Sequence, residues 1–155
     1  MRKLILLLFS ALLLMAATVS IPKDAKCFMR NLMVYEHPEW ASTIELKDGK
    51  ILYFSSPKSM FEFYFETPRW PEFNIKEDKQ MNIYITDFET LEAIPAKEAH
   101  YVYGSSKTSP AGDDLPAFAR KKSAQAFMLR YGGSRVLDFY QVSHGLINLL
   151  NGRTR

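Results

Sequence analysis

Hydrophobic and polar positions along the chain fall into short blocks whose period switches between strand-like alternation and nearly continuous apolar runs. Trp40 to Leu46 reads as a strand, Lys47-Asp48-Gly49-Lys50 carries the Asp-Gly hairpin signal, and Ile51 to Phe54 reads as the returning strand. Ser55 and Ser56 can cap a helix with Pro57 at its first position. Met60, Phe61, Phe63, Tyr64 and Phe65 then make that helix apolar nearly all round, which predicts burial against the sheet. Pro68 and Pro71 end it, and after a polar stretch Met81 to Thr86 alternates as a strand. The order is β-β-α-β.

The second half repeats the pattern without repeating the sequence. Leu91 to Ile94 and His100 to Tyr103 read as two short strands, and Gly104 to Asp114 as a polar loop. Asp114 with Pro116 is expected to open a helix running through Phe118, Ala119, Phe127, Met128 and Leu129, which Gly132 and Gly133 stop. Arg135 to Tyr140 is a final strand, and Val142 to Leu150 is apolar and fits either strand or helix. The expected fold class is α+β, with two β-β-α-β units packed into one compact domain, each sheet covered by its own helix.

The start of the chain changes the picture of where this domain works. Arg2 and Lys3 precede an apolar run from Leu4 to Ala17 broken only by Ser10, and Thr18 and Ser20 stand at minus three and minus one of a cleavage after Ser20. Residues 1–20 read as a secretory signal peptide, with an uncleaved anchor as the alternative, and residues 21–155 as one domain exported to the periplasm. The run falls short of the ~20 apolar residues that span a bilayer. A lipoprotein would need a small-residue box directly before its cysteine, whereas Lys23-Asp24-Ala25-Lys26 precedes Cys27, which argues against lipid attachment. Without the first 20 residues the chain keeps 18 basic and 17 acidic side chains, a net +1, so no basic stripe suggests a nucleic-acid partner. At 47% apolar and 24% charged residues the 155-residue chain can fill a core.

A single cysteine excludes an intrachain disulfide framework and any multi-cysteine zinc site. In Cys27-Phe28-Met29-Arg30-Asn31-Leu32-Met33, an extended backbone would turn Cys27 and Met29 to the same side and offer thiolate and thioether to one ion. Such soft donors favour Cu(I) over hard cations, and so few of them suit an ion content with two or three ligands. Met33 or His37 can supply a third donor, and Met60 can reach in from the first helix. Two chains sharing one ion through paired Cys27 thiols is the dimeric alternative. Close to the new amino terminus, Cys27 is expected to be accessible, the alternative being a buried, inert thiol.

Beyond this pair, the segment Cys27 to Met33, the following Tyr35, Pro38 and Trp40, and Phe54-Ser55-Ser56-Pro57-Lys58-Ser59-Met60-Phe61 are similar to the NosL family. The order Ala99-His100-Tyr101-Val102, Gly104-Ser105, Pro110-Ala111-Gly112, Pro116-Ala117-Phe118, Ala126-Phe127 and Gly132-Gly133 carries the resemblance through the carboxy-terminal half. It implies an exported Cu(I) chaperone that serves nitrous oxide reductase or another copper enzyme, and β-β-α-β units related to a domain of organomercury lyase. Many members have Cys-x-x-Cys-Gly-Met where this chain has Arg30, Asn31 and Leu32 at the last three places, and a Met where it has Ala111.

Competing readings attach to the same residues. Met60 and Met33 also suit core packing, and Met81 and Met128 read as filler. His37 beside Pro38 reads as an exposed turn residue, and His100 and His144 as structural. Asp87, Glu89 and Glu92 read as exposed carboxylates rather than a catalytic acid and base. The Gly104 to Gly112 loop reads as mobile and as the place for a client enzyme to dock. Phe61, Phe63, Tyr64 and Phe65 would be a partner surface only if exposed. An enzyme, such as a carbon-metal lyase, would want a second thiol and a nearby acid. A metal-free adaptor domain is the third possibility.

Overall fold

The computed structural model describes residues 20–153; the predicted signal or anchor over residues 1–20 lies, apart from Ser20, outside the described residues. Strands β1 (Ser42–Leu46) and β2 (Ile51–Phe54) form the expected hairpin. Gly49 takes a φ of +83°, the left-handed conformation that makes glycine useful in this turn, while the Asp48 side chain accepts from the Lys50 N–H at 3.0 Å. Helix α1 (Pro57–Phe65) starts where predicted, with the Ser56 hydroxyl accepting from the Ser59 N–H and Pro57 in the first turn. Strand β3 (Met81–Thr86) returns beside β1, and β4 (Ala93–Pro95) completes a four-stranded antiparallel sheet of order β2-β1-β3-β4. Ile44 faces Leu52 on one side and Ile83 on the other, so the alternation places one buried apolar face toward α1.

Strands β5 (His100–Tyr103), β8 (Ala117–Phe118) and β9 (Arg135–Asp138) form a second sheet of order β8-β5-β9, separated in sequence by the small hairpin β6 (Thr108–Ser109) and β7 (Gly112–Asp113) and by helix α2 (Lys121–Arg130). Along β5 the side chains divide between two cores. Tyr101 joins the main core and meets Phe61 at 5.2 Å, whereas Val102 joins Phe118, Ala124 and Phe127 beneath α2. Phe63 meets Phe54 of the first sheet at 5.6 Å, so α1 lies between the two sheets, which is why a helix apolar nearly all round is stable there. Phe61 and Phe63 are fully buried, so they belong to the core and not to a partner surface. Helix α3 (His144–Leu150), capped by Ser143, settles the ambiguous tail as helix and packs on α1.

Both sheets thus belong to β-β-α-β units, but the second unit draws its strands from other places than expected. The segment predicted as Leu91–Ile94 becomes β4 and joins the first sheet, because the buried Asp87 side chain accepts from the Glu89 and Thr90 N–H groups and folds β3 back on itself. The other Asp87 oxygen accepts from the Ala119 N–H at 2.7 Å, tying the sheets together, so this carboxylate is neither exposed nor idle. Asp114 does not open a helix. Its carboxylate is buried and committed to four donors elsewhere, Ala117–Phe118 pairs with His100 and Tyr101, and α2 begins only at Lys121. The strand expected to reach Tyr140 ends at Asp138, where a single 3₁₀ turn begins.

Gly133 follows α2 at a close approach: a Cβ there would stand 2.8 Å from Val102 Cγ1 and 2.9 Å from Met128 Cγ. Gly133→Ala is therefore expected to destabilise the domain by about 1–3 kcal/mol in urea denaturation, the typical cost of overpacking. A change near zero would show that the α2–β5 contact yields freely.

Candidate metal centre

The segment Cys27 to Met33 is not extended. The Cys27 carbonyl accepts from the Arg30 and Asn31 N–H groups at 3.3 and 2.8 Å, Asn31 closes the turn with a φ of +56°, and the Cys27 N–H donates to the Leu32 carbonyl at 2.7 Å. A bridge between Lys26 and Met33 sets the base of the loop, and the Phe28 N–H donates to the Tyr53 carbonyl on β2. The two-residue alternation that would pair Cys27 with Met29 therefore does not operate, because a turn replaces the strand. Cys27 is 2% exposed and lies in the main apolar core, contrary to the accessible thiol expected from its place near the chain start.

The other predicted donors have different fates. Met60 is fully buried in the same cluster as Cys27, and Met29 is half-buried and packs against that cluster. Met60 lies three residues from Phe63 on α1, and Phe63 touches Phe28 of the thiol turn at 5.4 Å, so Met60 shares the helix face that meets the turn. Met33 is half-buried at the base of the loop. His37 is exposed and has the Glu39 carboxylate 3.7 Å away. Among the described residues, no three His, Cys, Asp or Glu side chains are placed to hold one ion. Cys27 and Met60 thus share the main core, which extends over both sheets and α1, with Met29 packed against it.

An aromatic wall covers one side of the turn. Phe28, itself 37% exposed, meets Trp70 at 5.4 Å and Phe73 at 5.7 Å in addition to Phe63. These rings hold Phe28 on one side, while Phe28 and Leu32 stay partly open to solvent.

Two charged side chains of α1 tie distant segments to the helix, and one of them reaches the turn. Lys58 is 2% exposed; its ammonium donates to the carbonyls of Ala111 at 2.7 Å and Leu150 at 3.1 Å. Burial pushes its pKa down, against the attraction of the nearby Asp114 carboxylate, with Arg30 pushing further down. Asp114 accepts from the Lys58 and Leu115 N–H groups and the Ser109 and Ser56 hydroxyls, yet burial still raises its pKa above the usual carboxylate value. These bonds pin the Gly104–Gly112 loop, expected to be mobile, onto α1 through the β6–β7 hairpin. Glu62, one turn after Lys58, is 1% exposed and pairs with both Arg30 and Arg153 at 2.8 Å. The sequence signal was available: a Lys and a Glu inside a helix predicted to be buried all round must find partners.

Two histidines also gained carboxylates. His100 Nδ1 lies 2.9 Å from Asp138 across the β5–β9 pair, and His144 Nε2 lies 3.2 Å from Glu66. Burial would raise the Glu66 carboxyl, but hydrogen bonds and charge from Arg69 and His144 outweigh it and hold its pKa below the ordinary 4.5. The folded state thus binds that proton more weakly than the unfolded chain, so the stabilisation is present above the ordinary range and lost as pH falls through the lowered pKa. The stability difference between wild type and Glu66→Gln should shrink between about pH 6 and about pH 3 in urea titrations, whereas a constant difference would contradict the pairing.

A family model described as NosL matches residues 18–147. Among solved structures, the copper chaperone NosL from Shewanella denitrificans matches with a TM-score of 0.70 at 24% identity, over 84% of this chain and 98% of that chain. That likeness establishes the shared fold, including the two β-β-α-β units. No curated protein matches the chain.

Proposed function

The chain belongs to the NosL family, and we propose that it is a copper chaperone, a carrier rather than an enzyme, in which Cys27 anchors Cu(I) and Met29, Met60 and Met33 supply thioethers. The observation that supports this reading is a set of soft donors, Cys27 and Met60 in the main apolar core with Met29 packed against it, where no three His, Cys, Asp or Glu among the described residues offer a competing site. A polarisable monovalent ion with low coordination demands suits that chemistry, while Zn²⁺ would call for a closed tetrahedron. The solved Shewanella denitrificans protein of the same fold, itself a copper chaperone, supports the same conclusion.

Burial revises how such a site works. A thiol 2% exposed holds copper away from water and oxidants, and uptake and release need the Cys27–Met33 turn to move. The turn is held by backbone bonds at its base, by the Phe28 N–H bond to Tyr53 on the edge strand β2, and by side chains at its tip, so its opening breaks one bond to that edge and no strand pairing. The client we infer is the copper centre of nitrous oxide reductase or a related periplasmic copper enzyme, and the setting is the periplasm, which the leader-like residues 1–20 support. With one thiol per chain, two copies bridging an ion through paired Cys27 sulfurs is the dimeric form of the same site.

The deep burial of Cys27 also favours a second reading, a metal-free adaptor whose thiol is ordinary core. Native mass spectrometry after anaerobic Cu(I) addition separates them. A mass shift of one copper per chain or per dimer, with a raised melting temperature, is expected of the chaperone. Unchanged mass and melting temperature would leave the adaptor.

A further inference from the structure

Besides the Phe28 backbone bond to Tyr53 and the Phe28 ring contacts, one charged contact fastens the thiol turn to the rest of the molecule. Arg30 Nη2 donates to Glu62 Oε2 and to Asn151 Oδ1, both at 2.8 Å, while Asn151 Nδ2 donates to the same Glu62 oxygen at 3.1 Å. Arg153 takes the other Glu62 oxygen at 2.8 Å. A carboxylate with 1% exposure in the middle of α1 is costly unless paired, and here the pairing is divided between two segments far apart in sequence. Arg153 keeps the carboxylate compensated whether or not Arg30 is present. Arg30 is therefore free to leave without stranding a buried charge, and it is the only residue of the Cys27–Met33 segment in an ion pair.

We propose that Arg30 is a positioning residue for the copper site: its guanidinium on Glu62 and Asn151 holds the Cys27 turn shut, and its release opens the thiol. This rests on the chaperone reading for its purpose, but not for its physics. In the closed state the turn lies over α1, with Phe28 against Phe63 and Arg30 against Glu62, one residue earlier on the same helix. In the open state Glu62 keeps Arg153 and Asn151, and the closing contact can reform once the turn returns. Neutral backbone bonds at the base, the Phe28 bond and ring contacts along one side, and the charge-assisted contacts of Arg30 at the tip make a flap whose one charged fastening lies away from the hinge.

The rate at which iodoacetamide modifies Cys27 in the reduced, metal-free protein reads this opening directly, because the chain has no other thiol. Global stability is measured in parallel by urea denaturation. Arg30→Ala is expected to speed modification by about 10–100-fold, well beyond any factor by which its global unfolding constant rises. Arg153→Ala, which leaves Arg30 on Glu62, should change the rate less than about threefold after the same comparison. An unchanged rate in Arg30→Ala overturns the proposal. So does an acceleration equal to the loss of global stability, or an equal acceleration in both variants, since either makes the cluster merely structural. As no copper is present, the result stands even if the copper assignment fails.

Discussion

Cys27→Ala is expected to abolish stoichiometric Cu(I) binding in anaerobic competition titrations, lowering the apparent affinity by at least about a hundredfold, because it removes the only anionic sulfur the chain offers. The remaining thioethers are neutral and weak as single donors, so Met29→Leu and Met60→Leu should each cost less than the cysteine change. The substitution is also a fair structural control. Cys27 contributes only a small side chain to the core, and Ala leaves a cavity no larger than one sulfur atom. A variant that still bound one ion with wild-type affinity would move the site away from this turn.

The largest loss of stability should come from Asp114→Ala, about 3–5 kcal/mol in urea or thermal denaturation, the cost of leaving several buried donors without their acceptor. The change strands the N–H groups of Lys58 and Leu115 and the hydroxyls of Ser56 and Ser109, and it leaves the buried Lys58 ammonium without its main compensating charge. Asp114→Asn should cost less, since the amide oxygen still accepts two of these donors while its NH₂ opposes the rest. A loss below about 1 kcal/mol in Asp114→Ala would mean that water enters and replaces the carboxylate.

Where local chemistry decides structure, the chain is readable. Asp48-Gly49, the Ser56 cap with Pro57, and the alternation of Ile44 and Leu46 or Ile83 and Ile85 each point to one outcome, and the first β-β-α-β unit forms accordingly. Where a buried polar side chain decides, the pattern misleads. Asp114 looks like a helix cap until Lys58 and Ser109, distant in sequence, claim its oxygens; Asp87 looks exposed until it organises the β3–β4 turn and reaches Ala119. The second unit keeps its predicted order but takes Ala117–Phe118 as a strand, two residues too few to show a period.

The candidate site divides in the same way. The sulfur residues proposed as donors, at positions 27, 29, 33 and 60, are visible in the bare sequence. The turn was not, since the left-handed Asn31 and the Arg30–Glu62 contact depend on the fold around them, and with the turn came the burial of Cys27. Lys58 and Glu62 carry the sequence signal for that contact: charges four residues apart in a helix otherwise built for a core.

X-ray absorption at the copper edge of the Cu(I)-loaded protein tests the sulfur site most directly. A first shell of two or three sulfur atoms without nitrogen or oxygen, losing one short sulfur in Cys27→Ser, is the expected result. A shell dominated by nitrogen or oxygen, or one unaltered by Cys27→Ser, would contradict it.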